Sequence, residues 1–350
     1  MITTAARLRR SGVLTLLAAL AFLAVLPADA DAPRLAEPPR SLEIQARPIE
    51  GFDVRDPARR RFGALDYIGG LELTSPDKAF GELSALRLSA DGEHFISVSD
   101  KGRWFRGRIV YRDGKPVGIA DAETAPILGP DGSALADRGW FDAESLAQDD
   151  GTLYVGIERV NQIVRFNYRR DGLRARGEPI EVPAPLRSLP FNQGLETLVA
   201  VPRALPRNAA LGGALIAISE RGLDDAGNIV GHIIGGAQPG GFAVKRIGDF
   251  DITDAAMLPT GDLLILERFF SPLRGVAMRI RRIDIATVKP GALLDGPVLV
   301  DADMGYQIDN MEGLAAHRSA GGDVVLTLVS DDNFNVIQRT ILLQFRMVEP

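Results

Sequence analysis

The chain contains no cysteine in its 350 residues. Disulfides, thiolate metal sites and a cysteine nucleophile are therefore excluded, and stability must come from core burial with or without a bound ion. Histidine is scarce: His94, His232 and His317 are scattered, each near a turn or a strand end. No Ser-His-Asp order and no GxSxG elbow is present, which argues against a serine-esterase mechanism. Basic charge is in deficit, with 40 basic against 46 acidic side chains and a formal charge of −6. That is poor footing for nucleic acid, whose phosphates demand a basic face. The short clusters "ARRRF" at 58–62 and "RIRRID" at 279–284 read as solvated strand faces and loops. Helical periodicity is missing from windows longer than about ten residues.

What is present begins with a leader. Arg7, Arg9 and Arg10 precede a Leu/Ala-rich run from Val13 to Leu26, followed by "ADADA". This pattern predicts a secretory signal peptide over residues 1–32, cut after Ala30 or Ala32. The apolar run is shorter than the roughly 20 residues of a membrane span, so no integral span is expected after its removal. The Arg9-Arg10 pair lacks most of the twin-arginine context, which favours the general export route. The expected location is periplasmic or secreted. Loss of residues 1–30 removes three Arg and one Asp and leaves a charge of −8. Residues 33–61 are Pro-rich and read as a linker or N-terminal extension with one short strand, and residues 62–350 as the folded domain.

Short β-rich runs fill that domain, among them "YIGGLEL", "TLYVGIE", "ALIAISE" and "DLLILER", separated by turn signals such as "DG", "GG" and "PTG". They predict an all-β protein of antiparallel hairpins. Five segments share one order: an acid in a short strand, a Gly-containing turn, an apolar strand and a charged pair. Their leading acids are Glu82, Glu144, Glu196, Asp254 and Glu312. Successive spacings of 62, 52, 58 and 58 residues each hold four strands. The expected fold is a β-propeller of four-stranded blades. Five blades account for every repeat, whereas six would need a degenerate blade within residues 33–80. The last repeat supplies only three strands, so "ALDYIGGLELT" at 64–74 is expected to complete it and close the ring.

In a propeller, equivalent positions of successive blades face one axis, so Glu82, Glu144, Glu196 and Glu312 are expected at one mouth of the channel. The Asp254 repeat departs from the pattern. Carboxylates gathered without compensation raise one another's pKa and destabilise the fold. A hard divalent cation, calcium before magnesium, would suit an all-oxygen site. The alternative is a ring of structural ion pairs with the strand-end cations Lys101, Arg103, Arg159, Arg221 and Arg268. "DADMGYQIDNME" at 301–312 places acids like a calcium-binding loop, but Tyr306 stands where that loop needs glycine. Trp104 and Trp140 read as packing between blades.

With these repeats in view, the chain resembles the bacterial phytase-like family, also called esterase-like activity of phytase. The resemblance rests on "LDYIGGLEL" and "FGELSALRLSADGEHFISVSDKGR", then "WFDAESLA", "NQGLETLVAVP", "ALIAISERG" and "DNMEGLA". It spans about residues 62–347. It implies an exported propeller and a metal-dependent hydrolase of phosphoesters or small esters. Under that reading Glu82, Glu144, Glu196 and Glu312 hold the metal, while Lys101, Arg103, Arg159, Arg221 and Arg268 grip a small anionic or ester substrate. The quoted motifs are less acidic than the calcium array of a β-propeller phytase, which argues against phytate itself. A non-catalytic propeller that binds a ligand or a protein is the alternative.

Overall fold

The structure, a computed structural model, describes residues 36–190 and 193–348. The expected signal peptide over residues 1–32 lies outside the described residues, as does Asn192 in the third repeat. Five antiparallel sheets follow one another along the chain. Blade 1 runs outward through Leu83–Leu88, His94–Ser99, Arg103–Arg112 and Lys115–Pro126. Blade 2 comprises Ala143–Asp149, Thr152–Ile157, Gln162–Phe166 and Glu178–Pro179. Thr197–Ala200, Leu215–Leu223, Ile229–Ile234 and Gly240–Val244 form blade 3, with Leu293–Leu294 added in parallel at its outer edge. Blade 4 holds Asp251–Met257, Leu263–Ser271, Gly275–Ile283 and Val298–Ala302. Blade 5 takes Asn310–Arg318, Val324–Asp331 and Thr340–Met347 from the end of the chain. Its fourth strand is the N-terminal Leu65–Thr74, paired antiparallel from Thr340↔Leu73 to Met347↔Leu65. The five first strands contact one another in a closed cycle, which makes the molecule a five-bladed β-propeller.

The apolar runs have a direct physical origin. Successive side chains of a strand point to opposite faces of its sheet. In a propeller both faces of a blade are covered by neighbouring blades. Along "LLIL" in blade 4, Leu263 and Ile265 pack toward blade 3, while Leu264 and Leu266 pack toward blade 5. Each such burial contributes roughly 1.5–3 kcal/mol. Among the described residues, each pair of adjacent blades encloses one large apolar cluster. Trp104 fills the interface of blades 1 and 2, edge-on to Phe166 at 5.2 Å between centroids. With the core divided among the interfaces, the axis is left to polar side chains.

The segment before the domain is more than the linker its proline content suggests. Arg40–Ser41 extends the outer edge of blade 1, and Gln45–Ile49 and Arg61–Phe62 both pair with the closing strand. Phe52 is fully buried, with its ring 4.9 Å from those of Phe62 and Phe345. Outer strands otherwise present unpaired backbone groups. Covering them is why this segment is ordered against the propeller.

Candidate functional site

The site is built on a backbone irregularity that recurs in the blades. Between the first and second strands the register slips by one residue at Ser84, Glu144, Thr253 and Glu312. In blade 3 the Glu220 N–H donates to the Gly194 carbonyl at 2.9 Å, matching the Glu158 N–H to the Asp142 carbonyl at 2.8 Å in blade 2. Glu196 therefore stands at the same place. A bulge re-aims the side chain it carries. The equivalent bulge residues are Ser84, Glu144, Glu196, Thr253 and Glu312.

This register corrects two expectations. Glu82 is not the counterpart of Glu144, Glu196 and Glu312: it lies two residues earlier, level with Asp142, Gly194, Asp251 and Asn310. Glu82 and Asp142 share a left-handed backbone, with φ of 51° and 58°. Asp254 lies one residue past the bulge, fully buried in the channel wall. The sequence signal for the true alignment is the apolar residue just before each bulge, namely Leu83, Ala143, Leu195, Ile252 and Met311.

Opposite the earlier positions, at the ends of the second strands, stand Asp100, Glu158, Glu220, Arg268 and Asp331. Three rings of five residues thus meet at one end of the channel, and ten of the fifteen are carboxylates. Glu158, Glu196 and Glu220 each bring a carboxylate oxygen to within 4.8 Å of the others, and all three are buried. Gly194 makes the fit: its N–H donates to Glu158 at 2.7 Å, and a Cβ there would lie 2.7 Å from Glu158 Cγ.

Burial pushes Glu144, Glu196 and Glu312 well above the usual carboxylate range, and neighbouring carboxylates push further in the same direction. Glu158 rises to about 7, mainly through burial, against the opposing pull of the Gly194 N–H. Asp100 rises to about 6 and Asp331 to about 8, again through burial first. Ser84 donates to Asp100, and Asn310 donates to Glu312 at 2.7 Å and Asp331 at 3.1 Å.

Arg268 is the cation inside this cluster. It donates to Glu220 at 2.8 Å and Glu312 at 3.0 Å, and also to Asn310. Burial disfavours its charge, but Glu312, Glu220 and Glu196 overcome that and hold it protonated. Glu144, Glu158 and Glu196 form no ion pair with the described residues. The outer carboxylates Glu82, Asp142 and Asp251 have Lys101, Arg159, and Arg221 with Arg246 beside them, so ion pairing leaves inner carboxylates such as Glu158 and Glu196 uncompensated. Three buried oxygen donors without sulfur or nitrogen fit a hard divalent cation.

The other expected cations disperse. Lys101 pairs with Glu82 at 3.2 Å and lies over the Phe334 ring. Arg159 stacks on Phe141, and its charge opposes the burial that pushes the Asp142 carboxyl up. Arg221 donates to Asp251 from Nε at 2.9 Å. Arg103 lies apart from the cluster, on the third strand of blade 1, where it bonds Thr124 and pairs with Glu37. Its sequence neighbour Lys101 is at the rim because the turn between them carries Arg103 onto the next strand.

Deeper in the channel, Arg87 of blade 1 donates to Asp254 and to the carbonyls of Leu198, Ala255 and Leu314. These groups belong to blades 3, 4 and 5, so the side chain crosses the channel beneath the acidic rings. Toward solvent, a cavity of about 1200 Å³ opens beside the cluster. Glu220, Arg221, Arg268 and Asn310 line its inner end. Glu220 thus belongs both to the candidate metal triad and to the cavity wall.

A family model described as Phytase-like, "Esterase-like activity of phytase", matches residues 78–334. No curated protein matches the chain. Among solved structures, the Myxococcus xanthus glutaminyl cyclase is similar at 12% identity, with a TM-score of 0.39, covering 77% of this chain and 92% of its own. The PQQ-bound aldose sugar dehydrogenase of Streptomyces coelicolor is similar at 11% identity, with a TM-score of 0.40, covering 90% and 99% respectively. No helix among the described residues is long and apolar enough to cross a membrane.

Proposed function

The chain belongs to the phytase-like family, and from that premise we propose that it is an exported, divalent-cation-dependent hydrolase of phosphoesters or small esters. The observation that carries this reading is the place of Glu220, shared by a buried three-carboxylate cluster and a cavity large enough for a small molecule. Glu158, Glu196 and Glu220 would hold the cation, and calcium suits their all-oxygen set best. Bound there, the ion supplies Lewis acidity toward a phosphoryl or carbonyl oxygen.

The chain's own residues do the rest. Arg268, fixed by Glu220 and Glu312, holds positive charge where the cluster meets the cavity. Arg221 stands beside it, oriented by Asp251, and together they position an anionic group. Arg87 and Asp254 keep the inner strands of the blades fixed beneath, so the carboxylates are held by rigid elements. Export rests on the leader pattern of residues 1–32.

The test is hydrolysis of 4-nitrophenyl phosphate and 4-nitrophenyl acetate by the mature protein, with calcium added or chelated. Turnover that disappears with chelator and returns with calcium supports the reading. A folded, calcium-loaded protein without turnover on either substrate leaves a ligand-binding propeller instead.

A further inference from the structure

The two ends of the cavity differ in chemistry. Its inner end is ionic, with Glu220, Arg221 and Arg268. Phe270, at the end of the second strand of blade 4, and Met304 and Ile337, on loops before and within blade 5, add an apolar stretch to a lining that also holds Arg246, Asp249, Asn335 and Arg339. These side chains are not buried against anything: Phe270 is 66% exposed, Met304 60% and Ile337 84%. Val336 and Leu273, close by in the chain, are more exposed still. A contiguous apolar rim at the mouth of a cavity marks a surface that a ligand covers.

Resting on the hydrolase reading for its head group, we propose that the substrate is amphiphilic: an anionic phosphoester whose alkyl or aryl arm lies against Phe270, Met304 and Ile337. The arm is assigned from charge arrangement. Arg221 and Arg268 stand by the triad, and Phe270, Met304 and Ile337 give an alkyl or aryl arm an apolar contact that a uniformly charged polyphosphate cannot use. Phe270 follows Arg268 by two residues on one strand, so head and arm are read by the same element.

The experiment is calorimetric binding of n-alkylphosphonates from two to eight carbons to the calcium-loaded protein, with hydrolysis of 4-nitrophenyl phosphate followed in parallel. Affinity should rise with chain length by about twofold to fourfold per methylene buried. In Phe270→Ser and Ile337→Ser, whose side chains are exposed and whose replacement does not disturb the core, that slope should flatten. Graded binding without turnover would remove the hydrolase reading while sustaining the amphiphile. Turnover with affinity independent of chain length overturns the amphiphile and spares the hydrolase. Sedimentation with anionic phospholipid vesicles combined with a flat alkylphosphonate series also overturns it, since the rim would then serve a lipid surface.

Discussion

Arg87 of blade 1 reaches across the channel to Asp254 of blade 4, donating from its two terminal nitrogens at 2.9 and 3.0 Å. Asp254 is fully buried, and burial raises its pKa in spite of Arg87 and the N–H groups of Leu314 and Ala255. The pair fastens four of the five inner strands at one level. Breaking a buried pair by removing one partner leaves an uncompensated charge, a loss of about 3–5 kcal/mol. Arg87→Leu should therefore show that loss in denaturant unfolding. The double variant Arg87→Leu/Asp254→Leu should recover part of it. Unfolding midpoints unchanged in the single variant would show that the pair does not secure the ring.

The bulge register makes a sharp contrast between two glutamates that look alike in the sequence. Glu196→Gln should weaken calcium binding by at least tenfold in a calorimetric titration, because it removes an oxygen charge from the triad. Glu82→Gln, at the rim against Lys101, should leave calcium affinity within about twofold, the ordinary range for a change away from such a feature. Equal losses in both would return Glu82 to the ligand set.

Most of the fold was legible because a repeat length of four strands admits few architectures, and because "ALDYIGGLELT" had no blade of its own. The shared bulge position of Glu144, Glu196 and Glu312 was legible for the same reason, although of these expected ligands only Glu196 falls in the three-carboxylate cluster. The true counterpart of the first repeat, Ser84, was not, since a one-residue bulge shifts the face of each side chain without changing composition. Asp100, Glu158 and Asp331 were hidden differently: each ends an apolar strand, but Lys101 follows Asp100 and Arg159 follows Glu158, so these strand ends read as ion pairs. The Arg87–Asp254 contact joins residues 167 apart and has no local pattern at all. The apolar rim joins the end of a blade 4 strand to two loops, which only the closed ring brings together.

Stability of the cation-free protein should fall as pH rises. Burial raises Asp100 to about 6 and Asp331 to about 8, above the roughly 3.9 of an unfolded aspartate. Between those values the folded state binds more protons than the unfolded one. The stabilising effect is complete below about pH 4 and is lost as pH passes through 6 and then 8. Thermal unfolding in chelator should show a declining midpoint from pH 5 to 8, over and above the change in an Asp100→Asn/Asp331→Asn variant. Calcium should oppose the decline, since its binding strengthens as carboxylates ionise. A midpoint rising over that range in chelator would contradict the assigned environments.

Arg268 should matter most when no cation is present. Arg268→Met removes the one guanidinium that Glu220 and Glu312 share, leaving Glu220 without that ion pair and Glu312 with only the Asn310 amide. The expected loss is several kcal/mol in chelator, with a smaller loss in calcium. Equal losses with and without calcium would separate Arg268 from the cation site.

The proposed cation site is the triad of Glu158, Glu196 and Glu220. Elemental analysis of the purified mature protein, beside a Glu196→Gln variant prepared identically, tests it most directly. About one calcium per wild-type chain is expected, released by chelator and clearly lost in the variant. A folded wild-type protein that neither carries a divalent ion nor takes up calcium on titration would contradict it.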